Sequence, residues 1–318
     1  MDSTLARIPA ALVANENFGT GFIAGLSKTP KEIASKYFYD TAGSYLFEQI
    51  CELPEYYQTR TEIELLRRHA NELAALIGEN VELVEFGAGS LKKVRILLDT
   101  IQQVRAYTPM DISKDYLSEV VQALAVDYPT LTLRPVIGDF NEPLNIPPRL
   151  RNPRRVGFFP GSTIGNSRPD AAIALLRRLR AILDVGLLIG VDLIKDPVRL
   201  HAAYNDAAGI TAMFNKNLLL RANRELGANF DTNGFAHYAP YNPGAHRIEM
   251  YLVSLRRQRV TVGGDHFDFV PGEPVHTENS YKYTVESFRE MAVRAGFNPR
   301  AVWTDEERLF SVHWLESH

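Results

Sequence analysis

Between Val81 and Leu193 the chain alternates short apolar runs with longer amphipathic stretches. The runs are Val81–Phe86, Val104–Met110, Leu131–Ile137, Val156–Phe159 and Leu187–Leu193. Their apolar residues tend to run on rather than alternate, the pattern of strands covered on both faces of a sheet. The stretches between them, Lys93–Gln102, Ser113–Asp127 and Pro169–Leu183, read as helices, with Ser113 as an N-cap and Gly186 as a C-terminal stop. Strand–helix alternation of this kind predicts an α/β fold with a parallel, doubly wound, Rossmann-like sheet.

The two ends break this rhythm. Residues 1–60 and about 196–283 are rich in Tyr, Phe, Asn and Gly, with turn signals at Asn233-Gly234, Asn242-Pro243-Gly244 and Gly263-Gly264. Arg247–Leu255 and Arg259–Val262 read as strands of an antiparallel unit that ends near Gly272-Glu273. Val285–Ala295 reads as a helix stopped by Gly296, and Ala301–Trp303 and Leu309–Leu315 as a closing hairpin that adds an antiparallel edge to the sheet. The expected organisation is a sheet domain of residues 61–195 plus 284–318 and a second, α+β domain of residues 1–60 plus 196–283. A ligand crevice would then lie between them, outside the carboxyl ends of the strands. No repeat and no low-complexity tract interrupts this plan.

Composition narrows the chemistry. The 318 residues carry 35 Lys and Arg against 38 Asp and Glu, so no broad basic face is available to hold nucleic acid. No apolar run approaches the roughly 20 residues that span a bilayer. Met1–Asn15 has no sustained apolar core of the kind a signal peptide needs, and a soluble cytoplasmic protein is expected. A single cysteine, Cys51, excludes an internal disulfide and reads as a small buried hydrophobe. The eight histidines are scattered, and no metal site is expected.

The segment Val84-Glu85-Phe86-Gly87-Ala88-Gly89-Ser90 follows the first strand and opens a helix. Its glycines allow positive φ and close approach to a ligand. A dinucleotide site wants a third glycine, where this chain has Lys92. Asp111 ends the second strand and can accept both hydroxyls of an unphosphorylated ribose. Asp139-Phe140 follows the third strand, the Asp able to accept from an adenine amine and the Phe to cover the ring. Acids at three successive strand ends, Glu85, Asp111 and Asp139, together with the missing third glycine, favour S-adenosylmethionine over NAD.

Several longer stretches carry a resemblance. Ser35-Lys36-Tyr37-Phe38-Tyr39-Asp40, Leu53-Pro54-Glu55-Tyr56-Tyr57-Gln58-Thr59-Arg60-Thr61-Glu62 and Phe159-Pro160-Gly161-Ser162-Thr163-Ile164-Gly165-Asn166 resemble those of the histidine N-alpha-methyltransferases. So do Gly190-Val191-Asp192-Leu193, Ala203-Tyr204-Asn205-Asp206, Arg247-Ile248-Glu249-Met250 and Thr277-Glu278-Asn279-Ser280-Tyr281-Lys282-Tyr283. The resemblance runs from about residue 15 to the end and implies a class I methyltransferase sheet with a second, substrate-binding domain. It implies trimethylation of the α-amine of L-histidine to the betaine hercynine, the first step of ergothioneine biosynthesis, by a stand-alone enzyme. Residue by residue, it implies S-adenosylmethionine contacts at Gly87, Lys93, Asp111, Asp139 and Phe140. Tyr56, Asn166 and Tyr204 would hold the substrate carboxylate and amine, with Gly161 and Tyr39 beside the reacting nitrogen and Met250 lining the pocket. Glu278 and Ser280 would hydrogen-bond the imidazole, and Tyr39 and Asn166 would serve the transfer itself. The chain departs from the family pattern at Ala88, at Lys92-Lys93-Val94 and at Tyr251, which is expected to face away from the pocket.

These residue types suit the chemistry. Tyr and Asn offer donors to a carboxylate without a cation, which leaves room for three methyl groups and places no positive charge beside a product ammonium. Glu278 can accept one imidazole N–H while Ser280 serves the other nitrogen. The nearest rival is methylation of another aromatic amino acid, tyrosine or a tryptophan derivative; an indole pocket would be expected to lose Glu278. A nucleic-acid or protein methyltransferase, a non-catalytic S-adenosylmethionine sensor and an NAD-dependent oxidoreductase follow at a distance. The expected partner is a small amino acid, with no nucleic acid and no membrane, and a monomer is expected.

Overall fold

The computed structural model describes residues 18–317. The expectation for Met1–Asn15 therefore lies outside the described residues. In chain order the elements begin with α1 (Phe18–Leu26), α2 (Thr41–Glu52), α3 (Tyr57–Arg68), α4 (Ala70–Ile77), β1 (Val81–Phe86) and α5 (Lys92–Thr100). Next come β2 (Val104–Asp111), α6 (Lys114–Asp127), β3 (Thr132–Leu133), β4 (Val136–Ile137), β5 (Arg154–Phe159), α7 (Pro169–Ile182) and β6 (Gly186–Asp192). The chain then runs through α8 (Pro197–Tyr204), α9 (Ile210–Leu226), β7 (Phe235–Tyr238), β8 (Tyr241–Asn242) and β9 (Arg247–Ser254). It ends with β10 (Gln258–Val262), β11 (Asp265–Phe269), β12 (Pro274–Tyr281), α10 (Val285–Arg294), β13 (Asn298–Thr304) and β14 (Phe310–Glu316).

The main sheet runs β13-β14-β6-β5-β1-β2-β3, with β4 continuing beside β2. Strands β1 to β6 pair in parallel, while β14 lies antiparallel to both β6 and β13. The α/β fold and its antiparallel closing hairpin are as the pattern predicted. Strand order reverses on either side of β1, which leaves a crevice at the carboxyl ends of β1 and β5. Residues Val81–Phe86 are all buried, as continuous apolar runs require. Two apolar clusters cover the faces of this sheet, one around Phe86, Phe159, Leu176 and Phe288, the other around Leu83, Tyr107, Phe158 and Trp314.

A second sheet, β12-β9-β7 with β8 beside β9, is antiparallel throughout, and β10 and β11 form a separate hairpin. Along β9 buried and half-buried residues alternate, the signature of a sheet packed on one face. Its cluster joins Phe22, Phe38 and Tyr57 from the start of the chain to Leu200, Phe214 and Leu252 from beyond residue 196. Helix α3 crosses the expected boundary at residues 60 and 61: Tyr57 sits in this cluster, Leu65 and Leu66 in one that covers the main sheet.

Two local expectations are corrected, and a third, the N-cap at Ser113, is met in position only. Leu131–Ile137 is two short strands, because Pro135 has no N–H to give the ladder. Gly186 does not stop α7. The helix ends at Ile182 with Leu183 extended, and Gly186 opens β6 where a Cβ would strike the Leu315 carbonyl. Ser113 occupies the N-cap position of α6 but makes no cap bond with its side chain, and its N–H goes instead to the Asp111 carboxylate at 2.8 Å. No helix among the described residues is long and apolar enough to cross a membrane.

Candidate active site

Backbone strain and close packing at the strand ends shape the first chamber. Gly87 follows β1 with φ +73°, and a Cβ there would lie 3.6 Å from the Phe140 ring. The N–H groups of Gly87 and Ala88 both donate to the Met110 carbonyl, at 2.9 and 3.1 Å, which ties this turn to the end of β2. Leu91 then adopts φ +58° to start α5. The cavity over these strand ends encloses about 1420 Å3, counting its open mouth. Gly87, Lys93, Asp111, Asp139 and Phe140 all line it, as does Glu85.

The three acids are not equivalent. Asp111 is pushed up to about 6 by burial, against the pull of the Ser113 and Ile112 N–H groups. Glu85 is pushed up to about 8 by burial, and it accepts the Tyr107 hydroxyl inside the sheet. Asp139 keeps its Oδ1 on the Asn141 N–H at 2.8 Å and its Oδ2 at 3.2 Å from Lys36. The two lysines also separate. Lys92 pairs with Glu52 in solvent, whereas Lys93 pairs with buried Glu62 at 2.6 Å. Burial pulls Lys93 down most strongly, but Glu62, Cys51 and Glu85 together outweigh it and hold the ammonium above its usual range. Cys51, read as a core hydrophobe, is half-buried and lines this chamber.

A second chamber of about 570 Å3 adjoins the first and shares Tyr39, Tyr56, Gly161 and Asn166 with it. Tyr204, Met250, Glu278 and Ser280 line its far side. Every predicted site residue therefore falls on one of two connected cavities. Gly161 turns at φ +78° and Ser162 at φ +57°, directly after β5, so the chain swings from the main sheet toward β12. Gly165 lets the following turn rest on β12: a Cβ would come within 2.8 Å of the Tyr281 carbonyl. That contact brings the Asn166 amide to the Glu278 carboxylate at 3.4 Å. Met250 faces Glu278 across the β9–β12 ladder, and Tyr251 turns away to donate to Glu249 at 2.7 Å.

Burial dominates the electrostatics of this chamber. Tyr39 and Tyr56 are held well above the usual phenol range, Tyr39 further so by Glu278 and Asp111. Glu278 is pushed up to about 7 by burial, with Lys282 opposing. Tyr204 and Ser280 hydroxyls lie 2.7 Å apart.

Four charged groups behind the chambers, Glu62, Lys282, Asp192 and Lys195, were not among the residues expected at the site. Glu62, 1% exposed, accepts the Gly161 N–H on both oxygens, at 2.9 and 3.1 Å, while holding Lys93. It thereby links the two chambers. Lys282, also buried, lies 2.9 Å from Tyr204 and 2.8 Å from Ser280, so the chamber does have a cation behind its hydroxyls. The carboxylate that Lys282 pairs with is Asp192, at 2.6 Å. Asp192 in turn holds Lys195. The one available signal was the alternation Glu278, Ser280, Lys282, which puts all three on one side of an extended chain. Among the described residues no group of three or more His, Cys, Asp or Glu is placed to hold a metal ion.

Residues 18–317 match the family described as "Histidine-specific methyltransferase, SAM-dependent". The chain is 42% identical to a histidine N-alpha-methyltransferase of Mycobacterium tuberculosis, over 91% of each protein. It is 41% identical to that of Mycolicibacterium smegmatis, over 98% of each. It is 29% identical to ergothioneine biosynthesis protein 1 of Neurospora crassa, over 86% of this chain and 32% of that longer protein.

Proposed function

Because the chain belongs to the histidine-specific, S-adenosylmethionine-dependent methyltransferases, we propose that it methylates the α-amine of L-histidine three times, giving hercynine for ergothioneine biosynthesis. The observation that carries this reading is the pair of chambers meeting at Tyr39, Tyr56, Gly161 and Asn166, with Asp111 on one side and Glu278 on the other. A sheet domain of residues 61–195 plus 284–318 supplies the first chamber's strand ends, and a domain of residues 1–60 plus 196–283 supplies most of the second.

The first chamber fits S-adenosylmethionine. Gly87 leaves space beside Phe140 that a Cβ would fill. Asp111 is placed to accept ribose hydroxyls, Asp139 the adenine amine, and Phe140 to cover the ring. Bound there, the donor supplies an electrophilic methyl on a sulfonium.

The chain's own residues position the amine. Tyr56, Asn166 and Tyr204 offer donors to the carboxylate, Met250 packs the ring, and Glu278 and Ser280 take the two imidazole nitrogens. Tyr39, held well above the usual phenol range by burial, stays a phenol near neutral pH. Its oxygen can accept an amine N–H and aim the nitrogen lone pair, and the proton displaced by each methyl group is released to solvent. Holding two reactants in line is worth up to about 7–11 kcal/mol.

Incubation with S-adenosylmethionine and the twenty amino acids, read by mass spectrometry, tests this reading. A product carrying three added methyl groups on histidine alone is expected. Methylation of tyrosine or tryptophan in its place would overturn the imidazole pocket, and donor binding with no methylation would favour a sensor.

A further inference from the structure

Lys282 is 3% exposed and spends all three of its N–H donors inside the protein. They go to Asp192 Oδ2 at 2.6 Å, Tyr204 Oη at 2.9 Å and Ser280 Oγ at 2.8 Å. Burying an ammonium is costly, and neutralising Asp192 does not require this one. Asp192 already holds Lys195, whose ammonium also donates to Tyr57 at 2.6 Å, and Asp192 accepts the Tyr57 hydroxyl at 2.9 Å. Two lysines on one aspartate leave an excess positive charge directly behind the second chamber.

The hydroxyl protons can be counted. Tyr204 and Ser280 have one each, and their 2.7 Å bond consumes one of the two. Lys282 occupies a lone pair on each oxygen, so the pair keeps one proton and one lone pair for the chamber. When Ser280 donates to Tyr204, the phenol oxygen is filled by Lys282 and Ser280, and its own proton faces outward as a donor. Ser280 keeps the remaining lone pair, whereas without Lys282 the phenol oxygen too would have a lone pair free to turn toward the ligand, which would repel a carboxylate.

We propose that Lys282, backed by Asp192, is a specificity-determining positioning residue that sets the Tyr204–Ser280 pair as a donor and makes the substrate's free carboxylate a requirement. This rests on the reading of the second chamber as an amino-acid site. Histamine, the amine that lacks only the carboxylate, is the discriminating probe.

The test compares kcat/KM for histidine and histamine in the wild type, K282M and K282Q, alongside KM for S-adenosylmethionine. In K282M the KM for histidine is expected to rise about 10- to 100-fold, the effect of losing one charge-assisted hydrogen bond. The preference for histidine over histamine should shrink by a similar factor, with KM for S-adenosylmethionine unchanged. A merely structural role would lower activity on both amines together and would not move their ratio. If K282M does not fold, K282Q carries the test, keeping a donor and losing the charge. An unchanged histidine-to-histamine ratio in a folded variant overturns the assignment, as does a wild type that uses both amines equally well. A wild type that binds S-adenosylmethionine and methylates neither amine overturns the functional reading itself.

Discussion

Replacing Glu278 by Gln keeps an acceptor of nearly the same shape in the second chamber and removes only the charge. The side chain is 8% exposed, and burial raises its carboxyl from the ordinary 4.5 to about 7. At about 1.36 kcal/mol for each factor of ten, that gap makes ionisation in the folded protein cost about 3 kcal/mol. The sign follows from linkage. Below pH 4.5 the group is protonated in both states and costs nothing; between 4.5 and about 7 the unfolded chain releases the proton and the folded one keeps it. Stability is therefore lost as pH rises across that window and stays low above it, so E278Q should be the more stable protein at pH 8. Substrate binding moves the other way. A hydrogen bond to a charged acceptor contributes roughly 1.5–3 kcal/mol against about 0.5–1.5 for a neutral one. The loss of about 1–1.5 kcal/mol predicts a KM for histidine about 5- to 12-fold higher. Steady-state kinetics and denaturant unfolding at pH 5 and pH 8 measure both effects, and KM for S-adenosylmethionine should not change. A variant with unchanged histidine KM, or with stability gained equally at both pH values, would refute the reasoning.

Asp111→Asn should raise KM for S-adenosylmethionine about 5- to 30-fold. Because burial lifts Asp111 to about 6, wild-type donor affinity measured by calorimetry should fall as pH drops through 6, and the variant should lose that dependence. Tyr39→Phe removes an orienting hydroxyl rather than a base: kcat should fall about 3- to 10-fold, and a loss of 100-fold or more would identify a proton acceptor instead. Gly190→Ala drives a Cβ into the Glu62 carboxylate, which Lys93 and the Gly161 N–H hold in place. It should cost roughly 1–3 kcal/mol in denaturant unfolding and lower kcat as Gly161 shifts.

What the chain's own order of residues determines here is local or periodic. Continuous apolar runs define β1 and β5 because both faces of a parallel sheet are buried, and a boundary within a residue or two follows from the flanking turns. Gly87, Asp111 and Asp139 were legible because a ligand site in such a sheet lies at strand ends, and strand ends can be read from the pattern. Tyr39, Tyr56, Asn166 and Glu278 were legible only through long motifs, since a single Tyr or Asn in an aromatic segment has no periodicity to mark it. Folding alone decided which groups share a charge. Lys282 meets Tyr204 across 78 positions, Tyr57 meets Asp192 across 135, and Glu62 meets Gly161 across 99. Nothing local links such residues, because a buried ion needs whichever partner the topology delivers, at any sequence distance. The same holds for Cys51: its helix position suggested a core face, and only the approach of the Gly87 and Gly161 turns made that face the wall of a cavity.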